Sequence, residues 1–147
     1  MTKDVLVSVS GLQSELEEDE ALEVVTPAIY HKQNGKHYIK YEEFLEDSNR
    51  PTSVLLKLSE QKMELLKKGE VNVHMLFEEG KQNTTIYQMP FGQLMMGLNT
   101  MSMSLEETET EINAEIIYGL DINYAHVSDC QIKIRVSARE NGSLQEI

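Results

Sequence analysis

The chain has 147 residues, with 13 basic and 25 acidic side chains for a net charge of −12, and a single cysteine. That length suits one domain around one core, and so negative a surface repels phosphate backbones and anionic headgroups, which excludes nucleic acid and membrane surfaces as partners. The N-terminus lacks a charged region followed by an apolar stretch, no run approaches the ~20 apolar residues that span a bilayer, and Cys130 has no partner for a disulfide, so the sequence points to the cytoplasm.

Alternation of apolar and polar residues is the dominant pattern. Residues 4–12 predict a first strand, with Val5, Val7 and Val9 on one face. Residues 14–20 hold five acids within six positions and build no apolar stripe; they read as an acidic turn, with at most one helical turn in it. The segments 22–33 and 36–44 flank Asn34-Gly35, the pair that most readily supplies two consecutive positive φ angles for a type I′ hairpin turn. With that turn, Tyr30 faces Ile39, Ala28 faces Tyr41 and Lys32 faces His37, all on one side of the hairpin, while His31 faces Tyr38 on the other. The two histidines therefore point apart and do not share a metal ion.

After a polar loop at 46–51, strands are predicted near 52–59, 62–67 and 71–78, with turns at 68–70 and 79–83. The segments 84–90 and 93–103 follow, then an acidic turn at 106–109 and three further strands at 111–118, 121–127 and 130–138. The polar residues 139–147 form a frayed tail, so one domain covers 1–138. Short connections leave no room for crossover helices, and the result is an all-β antiparallel meander. Closing it into an up-and-down barrel of about 8–10 strands removes the exposed edges; a two-sheet sandwich is the alternative.

No motif carries catalytic chemistry. His31, His37, His74 and His126 lack a metal-ligand spacing, no serine sits in a nucleophile elbow, and Cys130 occupies an apolar strand position as a small buried hydrophobe would. The acidic runs lack the alternating oxygens, central glycine and closing glutamate of a calcium loop. The reading is of a protein that is not an enzyme and needs no cofactor or metal. Methionine is the unusual enrichment, with Met89, Met95, Met96, Met101 and Met103 within fifteen residues, able either to fill irregular core gaps or to line a ligand cavity.

Three segments then become recognisable: GKHYIKYEE at 35–43, KLSEQKMELLKKGEVNVHMLFEEGK at 57–81 and YQMPFGQLMMGLNT at 87–100. Together they resemble the YwiB-like family of small bacterial proteins, over about 100 residues in consistent order. The motif is a tyrosine-rich strand ending in two acids (Tyr38, Tyr41, Glu42, Glu43), a basic residue two before a glycine (Lys67, Gly69), and Phe91-Gly92 opening a strand that ends near Thr100. The resemblance implies a calycin, or lipocalin-like, barrel of uncharacterised function, and by analogy a ligand cavity that Lys67 and Thr100 would help to line. The family's basic residue is usually arginine; lysine cannot make the planar two-pronged contact with a carboxylate.

Two functions from different classes follow. In the first, the barrel binds a small apolar molecule in a lumen lined by Tyr30, Ile39, Tyr41, Lys67, Met96 and Thr100. In the second, the barrel is filled by its own side chains, and its surface meets a partner or a second copy of itself. The lumen separates them.

Overall fold

The computed structural model describes residues 3–11, 25–44, 50–69, 72–89 and 92–139. Every regular element among them is a strand: β1 (Asp4–Ser10), β2 (Val25–Gln33), β3 (Lys36–Phe44), β4 (Pro51–Ser59), β5 (Lys62–Lys68), β6 (Val73–Glu78), β7 (Gln82–Met89), β8 (Gly92–Glu107), β9 (Glu111–Ile122) and β10 (Ala125–Ala138). All pair antiparallel in one sheet of order β6-β5-β4-β3-β2-β1-β10-β9-β8-β7. A single ten-stranded sheet curled into a nearly closed barrel replaces the sandwich alternative.

The closure is made by the first and last strands, since Val5 pairs with Ala138 and Val9 with Ile134. The seam falls elsewhere. Although β6 and β7 are consecutive, among the described residues they share one bridge, Asn72 to Gln88, with N–O distances of 3.0 and 2.9 Å. Thr85 Oγ1 donates to the His74 carbonyl at 2.6 Å, so a side chain spans the gap where a ladder bond would otherwise be.

The β2–β3 hairpin has the register that its turn dictates: Tyr30 opposes Ile39, His31 opposes Tyr38 and Lys32 opposes His37. Asn34 and Gly35 take φ values of 52° and 79°, as a type I′ turn requires. Period-two alternation then puts Ile39, Leu56, Leu65 and Phe77 inside and their neighbours outside. Each such side chain removed from water contributes about 1.5–3 kcal/mol, which is what selects this register over a one-residue slip.

Two expectations are corrected. Residues 111–118, 121–127 and 130–138 are two strands, not three: β9 runs on to Ile122, and the chain turns at Asn123-Tyr124 inside the segment read as a strand. Both residues have positive φ (51° and 73°), a conformation that Tyr124 does not advertise. The methionine run is also divided. A bulge at Met101, between the pairs Thr100–Tyr118 and Ser102–Ile117, lets Thr100 and Met103 both face inward while Met95 and Met101 face out. The acidic segment 14–20, Val71, Phe91, the Met89 side chain and residues 140–147 lie outside the described residues.

Candidate functional site

The inner face carries the six residues singled out from the sequence. Ile39 is 0 % exposed, Thr100 1 %, Tyr30 and Met96 5 %, and Lys67 8 %, with Tyr41 partly buried. They are spread around the wall. Tyr30 and Ile39 are cross-strand neighbours, Tyr41 and Lys67 both oppose Val54, and Met96 and Thr100 sit on the far side against Ile122 and Tyr118. Between these groups the wall is continuous aliphatic and aromatic surface, with Phe77 of β6 reaching Tyr118 of β9 edge-on at a centroid distance of 5.0 Å.

The two ends of the barrel are polar. At one end the Tyr30 hydroxyl is hydrogen-bonded to His37 Nδ1 at 2.8 Å, and His37 Nε2 faces Glu107 Oε1 at 3.5 Å. Glu107 also takes Lys32 Nζ at 3.2 Å. With a carboxylate before Nε2, the neutral ring carries its proton there and accepts the phenol proton at Nδ1. Burial lowers the His37 pKa, against the pull of Glu107 upward and with the push of Lys32 downward. Burial, then Glu107, raises that of Tyr30. Since β1, β10 and β9 lie between β2 and β8 in the sheet, this network is a strap across the barrel mouth. A depression of about 570 Å³ beside it is lined by Lys3, Ile29, Tyr30, His31, Lys32 and Glu107.

At the other end Lys67 Nζ donates to Glu43 Oε2 at 2.8 Å. Tyr41 is held in its neutral form, because burial first and Glu43 second raise its pKa. Thr52, opposite Glu43, is fully buried, and its hydroxyl has no partner among the described residues. Gly69 closes this corner. At φ 149° its missing Cβ would lie 2.9 Å from Thr52 Cα, so any side chain there would be both strained and obstructed. The quoted motif of Tyr41, Glu43, Lys67 and Gly69 is thus one spatial cluster, a part-buried ion pair and its supports. A lysine with one carboxylate suffices for it.

No three histidine, cysteine or carboxylate side chains among the described residues converge to hold a metal ion. Cys130 is buried on the inner face, with Ser128 Oγ 3.4 Å from its sulfur. A second concavity of about 560 Å³ crosses the outside of β1, β10, β9 and β8, past Ser8, Ser104, Asn113, Lys133 and Arg135. The Arg135 guanidinium is occupied there by Glu111 at 2.6 Å.

Residues 7–134 match the family model described as a domain of unknown function, DUF1934. The chain belongs to the DUF1934 family. The uncharacterized β-barrel protein YwiB of Bacillus subtilis (strain 168) is 27 % identical over 123 residues, covering 82 % of either sequence. The crystal structure of the YwiB protein from Bacillus subtilis superposes with a TM-score of 0.69 at 21 % identity, covering 93 % of this chain and 91 % of that one. DUF1934 membership and the shared barrel agree with the resemblance read from the three segments.

One constellation escaped the sequence reading. On the outside of β7–β10, Gln82, Asp121, His126 and Asp129 form a polar row above Gly97 and Gly119, with a hydrogen bond from Gln82 to Asp121 and the His126 ring between the two aspartates. The signals available were the two glycines inside strand patterns, which mark close approach, but a strand drawn through 121–127 hid the turn and the bulge that bring these residues together.

Proposed function

We propose that this chain is a non-catalytic cytoplasmic protein whose barrel is filled by its own side chains and whose work is done by its outer surface on a protein partner. The observation that carries this reading is burial. Ile39, Leu56, Met63, Phe77, Leu98 and Ile132, from six different strands, are all 0 % exposed, so no space wide enough for a water molecule touches them. An apolar ligand in the lumen would need such space beside Ile39, whose surface the neighbouring side chains already cover. The ion pair and the strap at the two mouths act as closures of a packed interior. The net charge of −12 supports a soluble surface that attracts cationic partners and repels anionic ones.

The test is titration of the folded protein with a fluorescent fatty acid. Fluorescence that rises linearly without saturation agrees with a filled interior. Saturable 1:1 binding that an Ile39→Ala substitution strengthens would overturn it.

A further inference from the structure

Three local rules are broken on one face of this barrel, and each break puts a large apolar side chain into water. β8 bulges at Met101 and β10 bulges at Val127, between His126 and Ser128. Those two side chains are 48 % and 46 % exposed. The Asn123-Tyr124 turn places a tyrosine at φ 73°, where a type I′ turn ordinarily has glycine, and leaves it 86 % exposed. No burial compensates the strain. With Ile86 and Ile117, these make up five of the eight large apolar side chains exposed among the described residues.

The register gathers them around one centre. Gly97 pairs with Asp121 and Thr84, and Gly119 with Asn99 and Asp129, giving a floor with no side chains of its own. A Cβ on Gly97 would lie 3.2 Å from Gln82 Nε2 and 3.3 Å from Asp121 Cβ, so the row above needs the glycine to lie flat. That row runs from Gln82 Nε2 to Asp121 Oδ2 (3.4 Å), from Asp121 Oδ1 to His126 Nδ1 (3.4 Å), and from His126 Nε2 to Asp129 Oδ1 (3.5 Å). At one end stand Ile86, its cross-strand partner Met95, and the turn, whose Asn123 N–H donates to the Met95 carbonyl at 2.9 Å. At the other stand Met101 and Ile117. Six residues of strand separate Met95 from Met101, roughly 20 Å, the span of an extended segment of about six residues.

We propose that the outer face of β7–β10 is a docking surface for a basic, extended segment of another protein, with alternate apolar side chains held by Tyr124 and Val127 at one end and by Met101 and Ile117 at the other. The proposal rests on the surface-acting reading above and names its partner. Charge chooses the occupant: residues 82–86, 95–101, 117–121 and 124–129 hold two aspartates and neither lysine nor arginine. A second copy of a chain with a net charge of −12 is repelled, whereas a cationic segment is steered in. Bulges and strained turns concentrate where side chains are aimed at a ligand, and these three aim at one place.

The experiment is a titration of the isotope-labelled full chain, followed by nuclear magnetic resonance, with a synthetic decapeptide alternating lysine and leucine, and with its glutamate–leucine counterpart. Saturable shifts confined to the outer face of β7–β10 with the lysine peptide only, weakened at least tenfold both by Tyr124→Gly and by the double change Asp121→Asn, Asp129→Asn, are expected. Because glycine suits the turn better than tyrosine, Tyr124→Gly keeps the fold, and its loss of binding is not unfolding. Absence of saturable shifts, shifts on another face, or equal response to the glutamate peptide would overturn the proposal. So would sedimentation showing a dimer that Tyr124→Gly dissociates, since a second copy would then be the occupant. Failure here leaves the fatty-acid result untouched, and the filled-barrel reading stands or falls on that result alone.

Discussion

The two faces of strands β7 to β10 are made of alternate residues of the same segments, yet they obey different rules. Inward, Leu98, Ile116, Tyr118 and Ile132 are buried to within 1 % of full coverage, and each follows the period of two. Outward, the same strands carry two bulges, two interior glycines and a tyrosine in left-handed backbone. The contrast shows where stability is set. Packing inside holds each strand's register firmly enough that the outside can depart from local preference without loss of fold.

Substitutions on the two faces should therefore differ in cost. The largest effect belongs to the interior: Phe77→Ala removes a fully buried ring that meets Tyr118 edge-on, and should cost about 3–5 kcal/mol in urea unfolding. On the outside, Ile86→Ala should stay within about 0.5 kcal/mol. Equal costs for the two would dissolve the distinction.

Tyr124→Gly should act in the opposite direction and raise stability by about 0.5–1 kcal/mol, the relief of left-handed strain less the freedom that glycine regains when unfolded. A lower melting temperature would show that the tyrosine serves the fold.

Smaller still is the effect of pH on the mouth formed by Tyr30, His37 and Glu107. Burial depresses the His37 pKa below its ordinary 6.5, so the folded protein holds the ring neutral. As the pH falls below about 6.5 the unfolded chain takes up a proton that the folded one refuses, so stability is complete above that value and declines beneath it. The decline continues down to the depressed folded value. His37→Gln should flatten this acid limb of the melting profile; an unchanged slope would assign it to other groups.

Much of the inner face was legible in the sequence. Asn34-Gly35 fixed its hairpin residue by residue, because a two-residue turn leaves one register, and the alternation in 71–78 and 130–136 placed Phe77 and Ile132 correctly. The outer face was not. Bulges depend on pairing between distant segments, so nothing local in Thr100-Met101-Ser102 reveals that the parity of β8 inverts there. A turn at Asn123-Tyr124 lacks the glycine that would mark it. The cluster of Tyr41, Glu43, Lys67 and Gly69 lies between: its members were visible as a motif, but their meeting at one mouth follows from the β3–β4–β5 register alone.

If the interior is full and the exterior does the work, xenon should be excluded from the barrel. A gas that enters dry apolar cavities without needing polar partners should find no room among these side chains. Crystals pressurised with xenon should show no xenon inside the barrel. An ordered xenon atom against Ile39, Leu56 or Phe77 would contradict the account and return the lumen to candidacy as a ligand site.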